Sequence, residues 1–164
     1  MLSLRRLYSG YSAESRPFVE YGGLITLFNV AYGVLALVAA RARGLPDRYS
    51  VVDVALVGVA THKLSRLIAK DKVTSAIRAP FTEFEGNAPG GEVDERARGE
   101  GAQKAVGELL VCPYCLGLWI ASTLTMGLVF APRATRMVSF TFSALALSDA
   151  LQVAYRAAGD AAQG

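Results

Sequence analysis

Two stretches of the chain contain no acidic or basic side chain, and they constrain the fold more than any other feature. They cover residues 21–40 and 109–132. A helix rises 1.5 Å per residue, so about 20 apolar residues cross the roughly 30 Å hydrocarbon core of a bilayer. Charged residues make up only 19% of the chain, whereas a soluble domain usually carries about a quarter. We therefore predict an integral membrane protein.

Two further apolar segments extend this prediction to an all-α fold with four transmembrane helices. The expected spans are at about residues 20–40, 50–70, 112–131 and 137–158. They form a single membrane domain over residues 1–164, with a polar N-terminal segment at 1–19 and a hydrophilic loop at 71–107. Ser50 followed by Asp53 fits a capping box at the start of the second span.

The second span carries a group of basic residues on one helical face, namely His62, Lys63, Arg66 and Lys70. One interpretation is that they snorkel toward phosphates and water. The other is a binding site for an anion or a lipid headgroup. Asp149, in the fourth span, is costly to bury without a partner. We expect it to pair with Arg66, Lys63 or His62, unless it is hydrated near the helix end.

The two cysteines of the chain form one motif, Cys112-Pro-Tyr-Cys115, at the start of the third span. Two thiols at this spacing lie within bonding reach, and the amides of a helix N-terminus favour a thiolate on the first. The tetrapeptide resembles the glutaredoxin active site, but a charge-free span follows it here. Three interpretations remain open: catalytic thiol–disulfide exchange by Cys112 and Cys115, a zinc site completed by His62 and a second copy, and structural packing.

The end of the second span and the start of the third must face the same compartment, which then holds both the basic face and the thiols. Basic residues in short flanks predict the cytoplasmic side. The side with both termini and the 71–107 loop has Arg5, Arg6, Arg16, Lys70, Lys72, Arg78, Arg96, Arg98, Lys104 and Arg156. The other side has Arg41, Arg43, Arg48, Arg133 and Arg136. We predict a multi-pass membrane protein with cytoplasmic termini.

The net charge of +3 fits residues that flank spans and face anionic lipid. No nucleic-acid-binding motif accompanies it, so we expect no nucleic-acid partner. The expected partners are the lipid bilayer and another membrane protein or a second copy of the chain.

Several stretches resemble an uncharacterised family of small bacterial membrane proteins, some of which are labelled as sporulation-associated. These stretches are Asp53-Val-Ala-Leu, residues 60–74, Ile77-Arg-Ala-Pro-Phe-Thr and residues 107–119. The resemblance implies an integral membrane protein and supplies no reaction.

The sequence favours a non-enzymatic function as a membrane component or assembly factor that binds a partner, an anionic lipid or a metal. No cofactor is expected apart from zinc in the zinc interpretation. The alternative function is a membrane thiol–disulfide oxidoreductase that uses Cys112 and Cys115.

Overall fold

The computed structural model describes residues 8, 10–12 and 16–163. Arg5, Arg6 and most of the predicted polar segment at 1–19 lie outside these residues. The chain divides into two units. We call them the sheet unit, which holds the described residues up to Val34 together with Ile68–Leu116, and the helical unit, which holds Leu35–Leu67 and the residues from Gly117 onward.

Helices dominate the fold. Among the described residues, the helices and strands in chain order are α1 (Phe18–Ala42), α2 (Val51–Lys70), α3 (Ser75–Arg78), β1 (Thr82–Asn87), β2 (Val93–Ala97), α4 (Gly101–Val111), α5 (Pro113–Phe130) and α6 (Pro132–Gln163), with a short 3-10 turn at Pro89–Gly91. Three of the helices, α1, α5 and α6, are long and apolar enough to cross a membrane. Helix α2 forms where the second span was predicted, but it is not among these three.

Polar side chains inside α1 bond to the helix itself. Thr26 Oγ1 donates to the carbonyl of Gly22 at 2.8 Å, and Asn29 Nδ2 donates to the carbonyl of Ile25 at 2.8 Å. Each of these bonds satisfies one polar hydrogen that would otherwise face hydrocarbon without a partner. The apolar surface of α1 is largely exposed in the chain, as a lipid-facing helix requires.

The segment at 71–107, predicted as a hydrophilic loop, contains an antiparallel sheet. Strands β1 and β2 pair from Thr82 with Ala97 to Asn87 with Val93, with an irregularity between Phe84 and Gly86. The turn at Pro89–Gly91 has positive φ angles of 78° and 84° at its two glycines, a conformation that favours glycine. The all-α prediction missed this sheet because its strands are short and rich in charge, unlike typical strands.

Helix α4 packs against the sheet at a glycine. A Cβ atom on Gly107 would overlap the backbone carbonyl of Phe81 and lie 3.0 Å from the Cβ of Ala97. Only glycine permits this close approach of a helix to a strand. Val93 on β2 and Ala105 on α4 are almost fully buried, so the core of the sheet unit lies between α4 and the two strands.

In the helical unit, α2 begins with the predicted cap. The backbone N–H of Asp53 donates to Ser50 Oγ at 3.0 Å, which confirms the capping box. Ala131 alone separates α5 from α6, and a Cβ on Gly127 would lie 2.6 Å from Thr135 Oγ1. Because the two helices approach this closely, they form a tight hairpin. Pro132 opens α6, a position that needs no backbone N–H, so α6 begins earlier than the predicted residue 137.

Candidate functional site

Helices α2 and α6 are tied by two ion pairs within the helical unit. Arg136 donates two hydrogen bonds to the carboxylate of Asp53, at 2.8 and 2.9 Å. Further along both helices, Lys63 Nζ lies 2.5 Å from Asp149 Oδ2. Of the three expected partners of Asp149, which were Arg66, Lys63 and His62, Lys63 is the one that forms this ion pair.

A hydrogen bond between α2 and α6 lies between the two ion pairs along each helix. Ser143 Oγ donates to the backbone carbonyl of Leu56 at 2.9 Å. Contacts therefore advance in the same direction along α2 and α6, which means that the two helices run parallel. Sequence alone assigns Asp53 to the cap and does not predict its bond to Arg136, because nothing local links residues 83 positions apart.

Two of the four residues on the predicted basic face of α2 pair with acids of the same chain. Lys63 pairs with Asp149, and Lys70 pairs with Asp94 in the sheet unit at 3.2 Å. His62 and Arg66 are exposed. Binding of an anion or a lipid headgroup by these four residues stays a prediction.

A buried ion pair holds the sheet unit together. Arg78, with no exposed surface, donates to both oxygens of Glu95, from Nε at 2.8 Å and from Nη2 at 3.0 Å. Its Nη1 also donates to the carbonyl of Ile68 at 2.6 Å and to Thr74 Oγ1 at 2.7 Å. The guanidinium thus ties the end of α2, the start of α3 and the second strand together.

The environment of Glu95 fixes its charged state. Burial raises the pKa of this carboxyl, but hydrogen bonds from Arg78, Thr82 and Ser75 and the positive charge of Arg78 outweigh burial, so the pKa is lowered. From sequence, Arg78 is predicted only as a cation that flanks a span, not as the partner of Glu95. Alternation along β2 was the available signal, because Val93, Glu95 and Ala97 share one face of the strand and that face is turned inward.

Cys112 and Cys115 are joined by a disulfide at the junction of α4 and α5, with their Cα atoms 5.2 Å apart. The backbone N–H of Cys115 also donates to Cys112 Sγ at 3.1 Å. Cys112 is half-buried, whereas Cys115 is exposed and Tyr114, between them, is 93% exposed. A thiol from outside the protein can therefore approach the disulfide from the side of Cys115 and Tyr114.

The predicted zinc ligands were Cys112, Cys115 and His62. A disulfide offers no thiolate to a metal, so such a site requires the reduced pair. Among residues 8, 10–12 and 16–163, no group of three or more His, Cys, Asp or Glu side chains is placed to hold a metal ion.

Comparisons with known proteins confirm the resemblance stated for the sequence. UPF0713 protein YngL of Bacillus subtilis is 33% identical over 88 residues, which are 53% of this chain and 65% of that protein. Sporulation protein YjcA of the same species is 31% identical over 88 residues, which are 52% of this chain and 75% of that protein. The match with YngL thus covers slightly less than two thirds of its length. No solved structure matches.

The family model described as "Protein of unknown function (DUF1360)" matches residues 56–155. This range contains the Lys63–Asp149 pair, the Arg78–Glu95 pair and both cysteines. More than half of the chain is matched, so the chain belongs to this DUF1360 family of proteins of unknown function.

Proposed function

We propose that the protein is a four-span membrane protein in which α2 is the fourth crossing helix. The support is the parallel contact of α2 with α6, a candidate span. If α5 and α6 each cross the membrane once, α6 starts on the side of the membrane where α5 ends. Because α2 runs parallel to α6, α2 also starts on that side. Charge does not prevent this, since Arg136 balances Asp53 and Asp149 balances Lys63, and paired charges are far cheaper in a membrane than isolated ones.

Labelling from each side of sealed vesicles tests this topology. In a Cys112→Ser, Cys115→Ser background, single cysteines are introduced by Asp47→Cys and Lys72→Cys, at exposed positions on either side of α2. An impermeant maleimide should reach the two from opposite sides, and Arg133→Cys should behave like Asp47→Cys. Labelling of positions 47 and 72 from one side would show that α2 does not cross.

We further propose a bacterial inner-membrane location with both termini and the 71–107 segment in the cytoplasm. Basic residues of the flanks support this orientation. The opposite side has Arg41, Arg43, Arg48, Arg133 and Arg136. The side with both termini and the 71–107 segment has ten basic residues against these five.

The function that the geometry supports best is non-enzymatic: a membrane component or assembly factor that presents the sheet unit to another membrane protein or to a second copy. One observation carries this proposal. The cations Lys63, Lys70, Arg78 and Arg136 each hold a carboxylate of the same chain. Cations that already pair with carboxylates of the same chain are less available to bind an anionic substrate.

Site-specific photo-crosslinking tests the proposal. Phe84 is 59% exposed on β1, and a benzophenone amino acid at that position should give one adduct of defined mass in intact membranes. Twice the mass of the chain indicates a second copy, and another discrete mass indicates a different protein. The same probe at exposed Asp47 is the control. The adduct should survive Cys112→Ser, Cys115→Ser, and its absence would contradict this function.

A second candidate function is membrane thiol–disulfide exchange by Cys112 and Cys115. The observation that favours it is the disulfide itself, with Cys115 exposed at the start of a candidate span. If the protein has this function, Cys112→Ser and Cys115→Ser should each abolish its thiol–disulfide exchange activity. Zinc binding by the reduced pair with His62 is tested by metal analysis, since a four-ligand site shared by two copies needs about half an equivalent per chain.

A further inference from the structure

We propose that exchange at the Cys112–Cys115 disulfide is directional: an incoming thiolate attacks Cys115, and Cys112 leaves. This inference rests on the second candidate function and assigns the role of each sulfur within it. Three properties of the pair carry it: exposure, a hydrogen bond to one sulfur, and position relative to α5.

Exposure favours attack at Cys115. An attacking thiolate approaches the sulfur from outside the protein, and access is one determinant of which sulfur reacts. Cys115 is exposed, and the neighbouring Tyr114 is 93% exposed, whereas Cys112 is half-buried between α4 and α5. The open side of the disulfide is therefore the side of Cys115.

Stabilisation of the departing charge favours Cys112 as the leaving sulfur. Its Sγ accepts the backbone N–H of Cys115 at 3.1 Å. Cys112 also precedes the first residue of α5, an 18-residue helix, and the amides of a helix N-terminus favour a negative charge there. A disulfide breaks faster when the departing thiolate is the more stable one.

The complete exchange is balanced by a partner that has two thiols. The partner thiolate forms a bond to Cys115 Sγ, the bond between the two cysteines breaks, and its electron pair goes to Cys112 Sγ. The second thiolate of the partner then attacks the partner sulfur in this mixed disulfide, and Cys115 leaves as a thiolate. The partner dithiol is oxidised to a disulfide, and the cysteine pair takes up two electrons and, from solvent, its protons.

The geometry also points to a class of substrate. Because Cys115 lies in the first turn of a candidate span, the attacking thiol must approach at the membrane surface. The substrate is a protein with two thiols at that surface, and Tyr114 offers an aromatic contact beside the reacting sulfur.

The wild-type protein itself tests the direction of attack. The oxidised protein in detergent micelles is mixed with reduced glutathione, and the reaction is stopped after seconds with excess N-ethylmaleimide near neutral pH, where it alkylates free thiols. Fragment-ion mass spectrometry of the peptide with both cysteines then locates each group. The product with glutathione on residue 115 and maleimide on residue 112 should exceed the reverse product about tenfold. This ratio is the combined effect expected of one hydrogen bond and a helix terminus.

Single-cysteine variants give an independent measurement. Cys115→Ser, which keeps Cys112 and the amides that stabilise its thiolate, should form a mixed disulfide with oxidised glutathione at a lower pH than Cys112→Ser does, and the double variant should form none. Glutathione mainly on residue 112 of the wild type would overturn the proposed direction and leave thiol exchange itself standing. Absence of any mixed disulfide in the wild type and in both single variants would overturn the exchange function as well.

Discussion

Arg136 holds Asp53 through two hydrogen bonds, although the two residues stand 83 positions apart in the chain. This bond joins the first turn of α2 to the first turns of α6. Asp53 also bonds to Ser50 Oγ at 2.9 Å, so one carboxylate serves both a helix cap and a contact between helices. The parallel arrangement of α2 and α6 depends on this contact at one end and on Lys63 with Asp149 further along.

Removal of the cation from this contact should destabilise the helical unit. Arg136→Ala leaves the carboxylate of Asp53, which is only 8% exposed, without its counter-charge, and the melting temperature in detergent should fall by a few degrees. The melting temperature of Arg136→Lys should lie between those of the wild type and Arg136→Ala, because lysine keeps the positive charge but cannot donate the two parallel hydrogen bonds of a guanidinium. The control is Arg133→Ala, at an exposed position three residues earlier, which should melt like the wild type. Equal melting of all variants would contradict the structural role of the pair.

The buried pair in the sheet unit should be the more sensitive one. Arg78→Ala leaves Glu95 as an uncompensated charge and should cost about 3–5 kcal/mol of unfolding free energy, as broken buried pairs do. Protease cleavage between β1 and α4 should then increase. Arg96→Ala is the matched control, because Arg96 pairs with Glu83 on the exposed side of the same strand and exposed pairs contribute little. If both variants resist protease equally, the Arg78–Glu95 pair is not what holds the unit together.

The lowered pKa of Glu95 predicts loss of stability in acid. A carboxyl with a folded-state pKa below its ordinary value of 4.5 stabilises the fold above that value, and this contribution is lost as the pH falls through the lowered pKa. Hydrogen exchange of residues 82–97, corrected for the intrinsic effect of pH, should therefore increase as the pH falls below about 4.5. Glu95→Gln should be less stable at neutral pH and should lack this part of the acid dependence. If Glu95→Gln keeps the full increase of hydrogen exchange in acid, other carboxyl groups cause that increase.

Gly107 should not tolerate alanine. Alanine normally stabilises a helix relative to glycine by about 0.5–1 kcal/mol, but here its methyl group would overlap the carbonyl of Phe81. We expect Gly107→Ala to destabilise the sheet unit by about 1–3 kcal/mol, the usual cost of overpacking. Gly159→Ala is the control, since no atom lies within 4 Å of a Cβ at that position of α6, and it should be neutral or slightly stabilising. Calorimetry measures the stability of both variants. If both stabilities change in the same direction, Gly107 does not pack against Phe81 as described.

The sequence by itself determined the features that arise from local physics. Apolar length predicted helices where α1, α5 and α6 lie, the Ser50–Asp53 spacing predicted the cap of α2, and two cysteines three residues apart were within bonding reach wherever a helix began. The specific string of residues around Lys63 and Cys112 also identified the family.

Only the tertiary structure decided which acid each cation meets and how the polar segment folds. Asp53 with Arg136, Lys63 with Asp149 and Arg78 with Glu95 join elements that are distant in the chain, and no local rule specifies a partner for a charge. The sheet was missed for a related reason. Its strands lack the apolar alternation of ordinary strands and depend instead on a buried guanidinium and on Gly107, whose roles exist only once the helices have packed against them.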